Sequence, residues 1–360
     1  METILLEMAN NRSTLHAVIE QDERTAYFYI YPGEHFSERY GMRACWLRNL
    51  QPAPDERDSA AMEAGKAPML EAQYCKHPQG LAPLEAAELS IMWNESDDGA
   101  TVFYQDEPIG IIPGWSLSAE QPACYALECS EAAEDRGLFP LAAPALFEGL
   151  EKASAFWDKW GDEGNNPWGP LQRQFLEAYE TQFGSTLKYY AIDNQQWPPM
   201  ALAQYEQDDV IYFLSLGVSI RAMPWVELLY NEQAGGFRRM ELGLAVNKND
   251  YTMDEIMNMA QSIAGIADSP WRNLTWLGEG HTISSSGLPA GFDSFILSSA
   301  LYKGPEIALP VMEGDRVNLY WASPITLAER ERAHSKANGG YELLETLIGE
   351  GRTHVVRKGM

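Results

Sequence analysis

The sequence predicts an α+β protein of two domains, a strand-rich domain over residues 1–160 and a mixed domain of strands and flanking helices over residues 168–356. Three observations lead to it. At 360 residues the chain is longer than one ordinary domain. Apolar runs of strand length dominate the first part, whereas helical periodicities frame the strands of the second. Between them Gly161-Asp162-Glu163-Gly164-Asn165-Asn166-Pro167 has the polar, Gly- and Pro-containing composition of a linker.

Taken in order, Leu15–Glu20 and Tyr27–Tyr31 flank the polar Gln21–Thr25 and read as a hairpin. Residues 51–87, rich in Ala, Pro, Glu and Asp, read as loop with one short helix near Ala60–Gly65. Leu89–Trp93, Val102–Tyr104 and Ile109–Ile112 form a meander broken by Asp97-Asp98-Gly99 and Gln105–Pro108. Pro144 opens a helix that runs to Trp160 and closes the first domain. A second helix carries Leu171, Phe175, Ala178, Tyr179 and Phe183, and Gly184 stops it. Lys188–Ile192 and Val210–Leu216 are strands, the latter apolar on both faces. Val226–Tyr230 and Arg239–Val246 are expected to pair across Asn231–Arg238, and the alternation in the second predicts a half-buried strand. Thr252-Met253-Asp254-Glu255 is a capping box opening a helix to about Ala267. Phe295–Leu301 and Val317–Trp321 are further strands. Thr326-Leu327-Ala328-Glu329 is a second capping box, for a helix that Gly339-Gly340 is expected to stop, and Tyr341–Ile348 is the last helix.

Composition narrows the function classes. Hydrophobic residues make up 45%, charged residues 22% and aromatics 11%, the profile of a folded chain. The net charge of −26 is spread along the chain, −16 over residues 1–160 and −10 over 161–360. Such acidity opposes a phosphate backbone, so no nucleic acid is expected as a direct partner. Met1–Glu7 lacks the basic and long apolar regions of a secretory signal. The most apolar stretch, Val210–Ile220, is interrupted by Ser215, Gly217 and Ser219, far short of the roughly 20 residues of a membrane helix. Four cysteines fit a reducing compartment, and the expectation is a cytoplasmic chain away from the membrane.

No motif brings catalytic chemistry with it. The P-loop spacing, the G-x-S-x-G elbow and H-E-x-x-H are all absent. Leu277-Gly278-Glu279-Gly280-His281 begins like a dinucleotide loop, but it lacks the third glycine and puts a carboxylate where phosphates would sit, so a plain turn is the better reading. His281 with Ser284-Ser285-Ser286 reads as polar loop, since no orienting carboxylate is fixed. Cys75-x-His77 and Cys124-x4-Cys129 miss the spacing of a tetrahedral zinc site, and a strand over Cys124–Cys129 would point its two thiols to opposite faces. Pairs such as Asp97-Asp98, Asp208-Asp209 and Glu329-x-Glu331 read as solvated surface. No catalytic residue, metal or cofactor is assigned.

One set of segments is more specific. Leu187-Lys188-Tyr189-Tyr190-Ala191-Ile192 leads to Trp197-Pro198-Pro199, then to Ser215-Leu216-Gly217-Val218-Ser219, and then to Arg239-Met240-Glu241-Leu242-Gly243-Leu244. His281-Thr282-Ile283 and Leu288-Pro289-Ala290-Gly291-Phe292 follow the first capped helix. The run Val317-Asn318-Leu319-Tyr320-Trp321-Ala322-Ser323-Pro324-Ile325-Thr326-Leu327-Ala328-Glu329-Arg330 is the clearest piece, followed by Gly340–Leu347. In this order, residues about 170–354 resemble the Suppressor-of-fused (Sufu-like) domain, of the bacterial type; residues 1–160 do not match the animal protein.

The resemblance implies a non-catalytic, protein-binding role. The animal protein clasps an extended peptide of a transcription factor, and bacterial Sufu-like proteins look like immunity proteins that neutralise polymorphic toxins, often nucleases. A basic nuclease suits an acidic inhibitor, which gains on-rate by electrostatic steering. This chain departs from the animal type in lacking the animal C-terminal domain and in an enlarged variable loop at Met223-Pro224-Trp225-Val226-Glu227. In the family that loop lies beside the partner, so the resemblance implies partner-binding roles for Arg221, Met223 and Trp225, with Phe237 and Arg238 across the connection. For Trp225 a core position is the alternative. Two other functions stay open, a scaffold or regulator that binds an endogenous peptide and an enzyme with an unrecognised site.

Overall fold

The computed structural model describes residues 3–118 and 120–359, with Glu163 by its backbone alone. Met1 and Glu2, part of the N-terminal stretch considered above, lie outside them. The chain divides into two compact units. The first comprises Met1–Gly164 with Glu227–Leu229 and Trp271–Leu274; the second comprises Asn165–Val226, Tyr230–Pro270 and Thr275–Met360.

The first unit holds two sheets. β1 (Thr3–Ala9), β2 (Leu15–Gln21), β3 (Thr25–Pro32) and β4 (Arg43–Asn49) form an antiparallel sheet in chain order. The β2–β3 hairpin closes because the Asp22 carboxylate accepts from the Arg24 and Thr25 amides at 2.7 and 2.8 Å. After α1 (Ser59–Glu63), capped by Asp58, a second sheet follows the order β5 (Leu89–Trp93), β6 (Ala100–Tyr104), β7 (Glu107–Ile112), β8 (Cys124–Ala126) and β9 (Leu138–Pro140). α2 (Pro144–Gly161) begins at its proline.

Two local expectations fail here. Asp97 and Asp98 are buried, at 1% and 2% exposure, rather than solvated. The turn between β5 and β6 folds over them: Asn94 and Ser96 donate to the Asp98 carboxylate, while Asp97 accepts from the backbone and side-chain amides of Asn11. These hydrogen bonds make their burial tolerable. The strand over Cys124–Cys129 also stops early, because β8 ends at Ala126; Cys129 instead bridges Cys75 in an isolated antiparallel pair. All four cysteines are free thiols and buried, and burial pushes Cys75 up to about 12 and Cys129 to about 11.

The second unit opens with α3 (Trp168–Phe183), ended by Gly184 at φ +80°. Its sheet runs β10 (Lys188–Ala191), β11 (Ala201–Gln207), β12 (Val210–Leu216), β13 (Arg239–Asn247), β16 (Val317–Ile325), β15 (Ser294–Ser298), β14 (Thr282–Ser284), with β17 (Val355–Val356) also beside β13. Helices α5 (Met253–Ala267), α7 (Leu327–His334) and α8 (Gly339–Gly349) complete it, while α4 (Val226–Tyr230) and α6 (Ser269–Arg272) each have residues assigned to both units. Both predicted capping boxes form, Thr252 with Glu255 and Thr326 with Glu329. Phe175, Tyr179 and Phe183 of α3 are buried, and the Phe183 ring lies 4.5 Å from Tyr212 and 6.3 Å from Trp321. The Trp321 indole covers Gly243, where a Cβ would come within 2.8 Å of the ring.

The expected pairing of Val226–Tyr230 with Arg239–Val246 does not occur. Val226–Tyr230 is α4, and β13 has its edges occupied by β12, antiparallel, and by β16 and β17, parallel. A strand paired on both sides inside a covered sheet is buried throughout, and all nine residues of β13 are. Nor does Gly339-Gly340 stop a helix. α7 ends at His334, and the glycine pair begins α8, where a Cβ on Gly340 would meet the Gly280 carbonyl at 2.2 Å. Close backbone approach is what requires glycine there.

Candidate protein-binding site

The Gly-x-Ser turn is organised by one buried carboxylate. Glu241, in the middle of β13 and fully buried, accepts from the Ser215 hydroxyl at 2.5 Å, from the Gly217 and Ser219 amides at 3.0 Å each, and from the Ser219 hydroxyl at 2.6 Å. Gly217 takes φ +96°, and a Cβ there would strike the Pro199 carbonyl at 2.2 Å, so the turn needs glycine on two counts. The hydrogen bonds draw the Glu241 pKa down, but burial is the larger effect and leaves it raised. Beside it Arg239, also fully buried, donates to the Ser219 and Ile220 carbonyls and to Asp315. Arg238 grips the same Asp315 carboxylate through Nε and Nη2, at 2.7 and 3.0 Å.

These contacts fix where the loop after the turn goes. Arg221 is fully buried, its guanidinium 5.4 Å from the Trp197 ring. The Met223 amide donates to the Arg238 carbonyl at 2.8 Å, and Met223 Sδ accepts from the Leu277 amide. Trp225 sits at φ +63° and is 5% exposed. A left-handed backbone costs a bulky residue about 1–2 kcal/mol, which burial of the indole offsets. Of the five residues singled out from sequence, Arg221, Met223 and Trp225 are thus buried, while Phe237 and Arg238 are partly exposed.

Phe237 belongs to an aromatic group that sequence reasoning did not assemble. Its ring stacks on Tyr230 at 4.2 Å and 19°. Tyr230 meets Trp276 edge-on at 5.3 Å, and Trp276 lies 4.3 Å from His281. His281 Nδ1 donates to the Trp276 carbonyl at 3.2 Å, and burial holds the imidazole pKa below its ordinary value, favouring the neutral ring. The approach of Gly280 to Gly340 and Tyr341 brings the half-exposed Tyr341 beside this turn. Tyr230, Phe237, Trp276 and His281 are each partly exposed. These residues come from α4, the 3-10 turn after it, the segment before β14, and α8, so no local spacing announces them. The nearest signal was the Leu277–His281 glycine turn, read for another purpose.

Among the described residues none of Ser284–Ser286 hydrogen-bonds His281; Ser284 Oγ instead accepts from Arg330. Among the described residues no group of three or more His, Cys, Asp or Glu side chains could hold a metal ion, and no helix is long and apolar enough to cross a membrane.

Comparison with known proteins finds a match in the second half of the chain. Residues 189–359, just under half the chain, match the family model of the Suppressor of fused protein (SUFU). No curated protein matches the chain. The match suggests a non-catalytic, protein-binding role, and its span takes in β11 to β17, the Glu241-anchored turn and the aromatic group. Residues 189–359 of this chain are a Sufu-like domain.

Proposed function

We propose that this chain is a cytoplasmic, non-catalytic immunity-type protein that binds and neutralises a basic toxin, of the nuclease class, with its Sufu-like domain. The observation that carries the reading is the partly exposed aromatic group Tyr230, Phe237, Trp276 and Tyr341 beside Arg238, on a domain of a protein-binding family. Aromatic residues and Arg are the types enriched at interface centres, and here their backs are fixed by packing, which lowers the entropy lost on binding. Met223 ties the buried loop of Arg221 and Trp225 to that surface, through the Met223–Arg238 and Met223–Leu277 bonds. The charge of −26 supplies long-range attraction for a basic partner.

The test is co-expression with a secreted nuclease encoded beside this gene, scored by growth. Neutralisation is expected, with an association rate that falls at least tenfold between low and physiological salt. A salt-independent rate would remove the electrostatic part of the proposal. Failure to bind the toxin, with capture of an endogenous peptide instead, would replace immunity by a regulatory role.

A further inference from the structure

The first unit has a cleft of its own, about 540 Å³, on the face of β2, β3 and β4. Alternation along β3 puts Tyr27, Tyr29 and Tyr31 on one face, and the register places Glu20 opposite Tyr27 on one side and Trp46 opposite it on the other. The tyrosine rings pack on one another at 5.6 and 5.5 Å, so Tyr29 is buried between its neighbours and the partly exposed Tyr31 ends the aromatic row. The segment after α1 covers it, held where the Tyr27 hydroxyl donates to the Pro68 carbonyl at 2.6 Å.

The rim is basic in a chain that is strongly acidic. Arg57, Lys66 and Arg136 line the cleft, against Glu20 as the one carboxylate among its described lining residues. Arg136 is engaged by Asp135 and Glu71, and Arg57 stands 4.0 Å from Asp135. Lys66 is exposed and, among the described residues, has no ion-pair partner. A volume of this size suits a small ligand rather than a folded partner. A partly exposed ring such as Tyr31 takes a flat ring by stacking, and a cationic rim takes an anion.

We propose that this cleft binds a small organic anion with a flat aromatic body, of mononucleotide size, its ring on Tyr31 and its anionic group at Lys66 and Arg57. The proposal is independent of the toxin-binding role of the second unit.

Calorimetric titration of the full-length chain with AMP and GMP tests it, with adenosine and ribose 5-phosphate as half-ligands. Saturable binding of at least one nucleotide is expected, with each half-ligand at least tenfold weaker. Lys66→Glu, at an exposed position, should weaken nucleotide binding about tenfold at unchanged melting temperature, and Tyr31→Ala should do the same by removing the stacking surface. No saturable binding, ribose 5-phosphate binding as tightly as the nucleotide, or affinity unmoved by Lys66→Glu would each overturn the proposal. So would tighter binding of an acidic, tyrosine-containing peptide than of either nucleotide.

Discussion

Phe183, Tyr212, Tyr302, Trp321 and His354 form one aromatic cluster of the Sufu-like domain, and Tyr230, Phe237, Trp276 and His281 form another, with Tyr341 beside its Gly280 turn. Each mixes tyrosine, phenylalanine, tryptophan and histidine. In the first, all but the partly exposed Tyr302 are buried, Trp321 at 1% exposure and His354 at 8%. In the second, every ring keeps a face or edge toward solvent, and Tyr341 is half-exposed. Aromatic content therefore does not mark an interface; what differs is whether another element covers the rings. The closed cluster contributes to folding, and the open one holds rigid apolar area that nothing else in its unit buries.

Removing the centre of the closed cluster should produce the largest effect. Trp321→Ala deletes an indole packed against Phe183, Tyr212, Tyr302 and His354, and should destabilise the domain by about 3–5 kcal/mol, read as a lower denaturation midpoint. A loss below about 1 kcal/mol would mean that this cluster is no more structural than the open one.

His354 sharpens the same contrast through pH. Burial among the rings lowers its pKa from 6.5 to about 4, so the unfolded chain takes up a proton before the folded one does. Stability should be whole above about pH 6.5 and fall as pH drops toward about 4, by about 3 kcal/mol if the whole shift is expressed. His354→Phe should flatten that part of the profile. His281, in the open cluster, shifts in the same direction, and its variant should change the slope less because the ring keeps solvent contact.

How much could be read in advance follows the range of the interactions. The capping boxes at Thr252 and Thr326 were legible because each is a four-residue device. The helices from Pro144 and up to Gly184 were legible from their punctuation, and the two hairpin-like meanders from their polar turns. β1 was not, since an edge strand exposed along most of its length shows no alternation. β4 and β11 were missed as well. β13 was misread because Glu241 and Gly243 look like a solvent face, whereas one is an internal acceptor and the other makes room for Trp321. Within the candidate site, Phe237 and Arg238 were reachable through the family resemblance. Tyr230, Trp276 and Tyr341 were not, because only tertiary packing brings them together.

A smaller effect is expected from the Glu241-anchored turn. Glu241→Gln keeps the volume and one acceptor oxygen, but presents an amide NH2 to a hydroxyl that already accepts from the Leu242 amide. The cost should be about 1–2 kcal/mol in stability. Because Glu241 pins Gly217 and Ser219, the variant should also raise amide exchange across residues 217–223. Exchange that rises everywhere except there would separate the carboxylate from the loop.

The smallest effect on stability should come from the open cluster, with the largest on binding. Tyr341→Ala removes a half-exposed ring, and Phe237→Ala leaves Tyr230 packed on Trp276, so each should cost under about 1 kcal/mol of folding. If this face seats the partner, each should weaken the toxin complex at least tenfold, about 1.4 kcal/mol. Trp225→Ala and Arg221→Ala supply the counterpart, since both side chains are buried and should lower the melting temperature by several degrees. Affinity of the folded fraction measured alongside then separates the two regions. Loss of binding in the Trp225 variant with unchanged melting would move the partner's seat to the loop after Gly217. Unchanged affinity in both the Tyr341 and the Phe237 variants would remove the open cluster from the interface altogether.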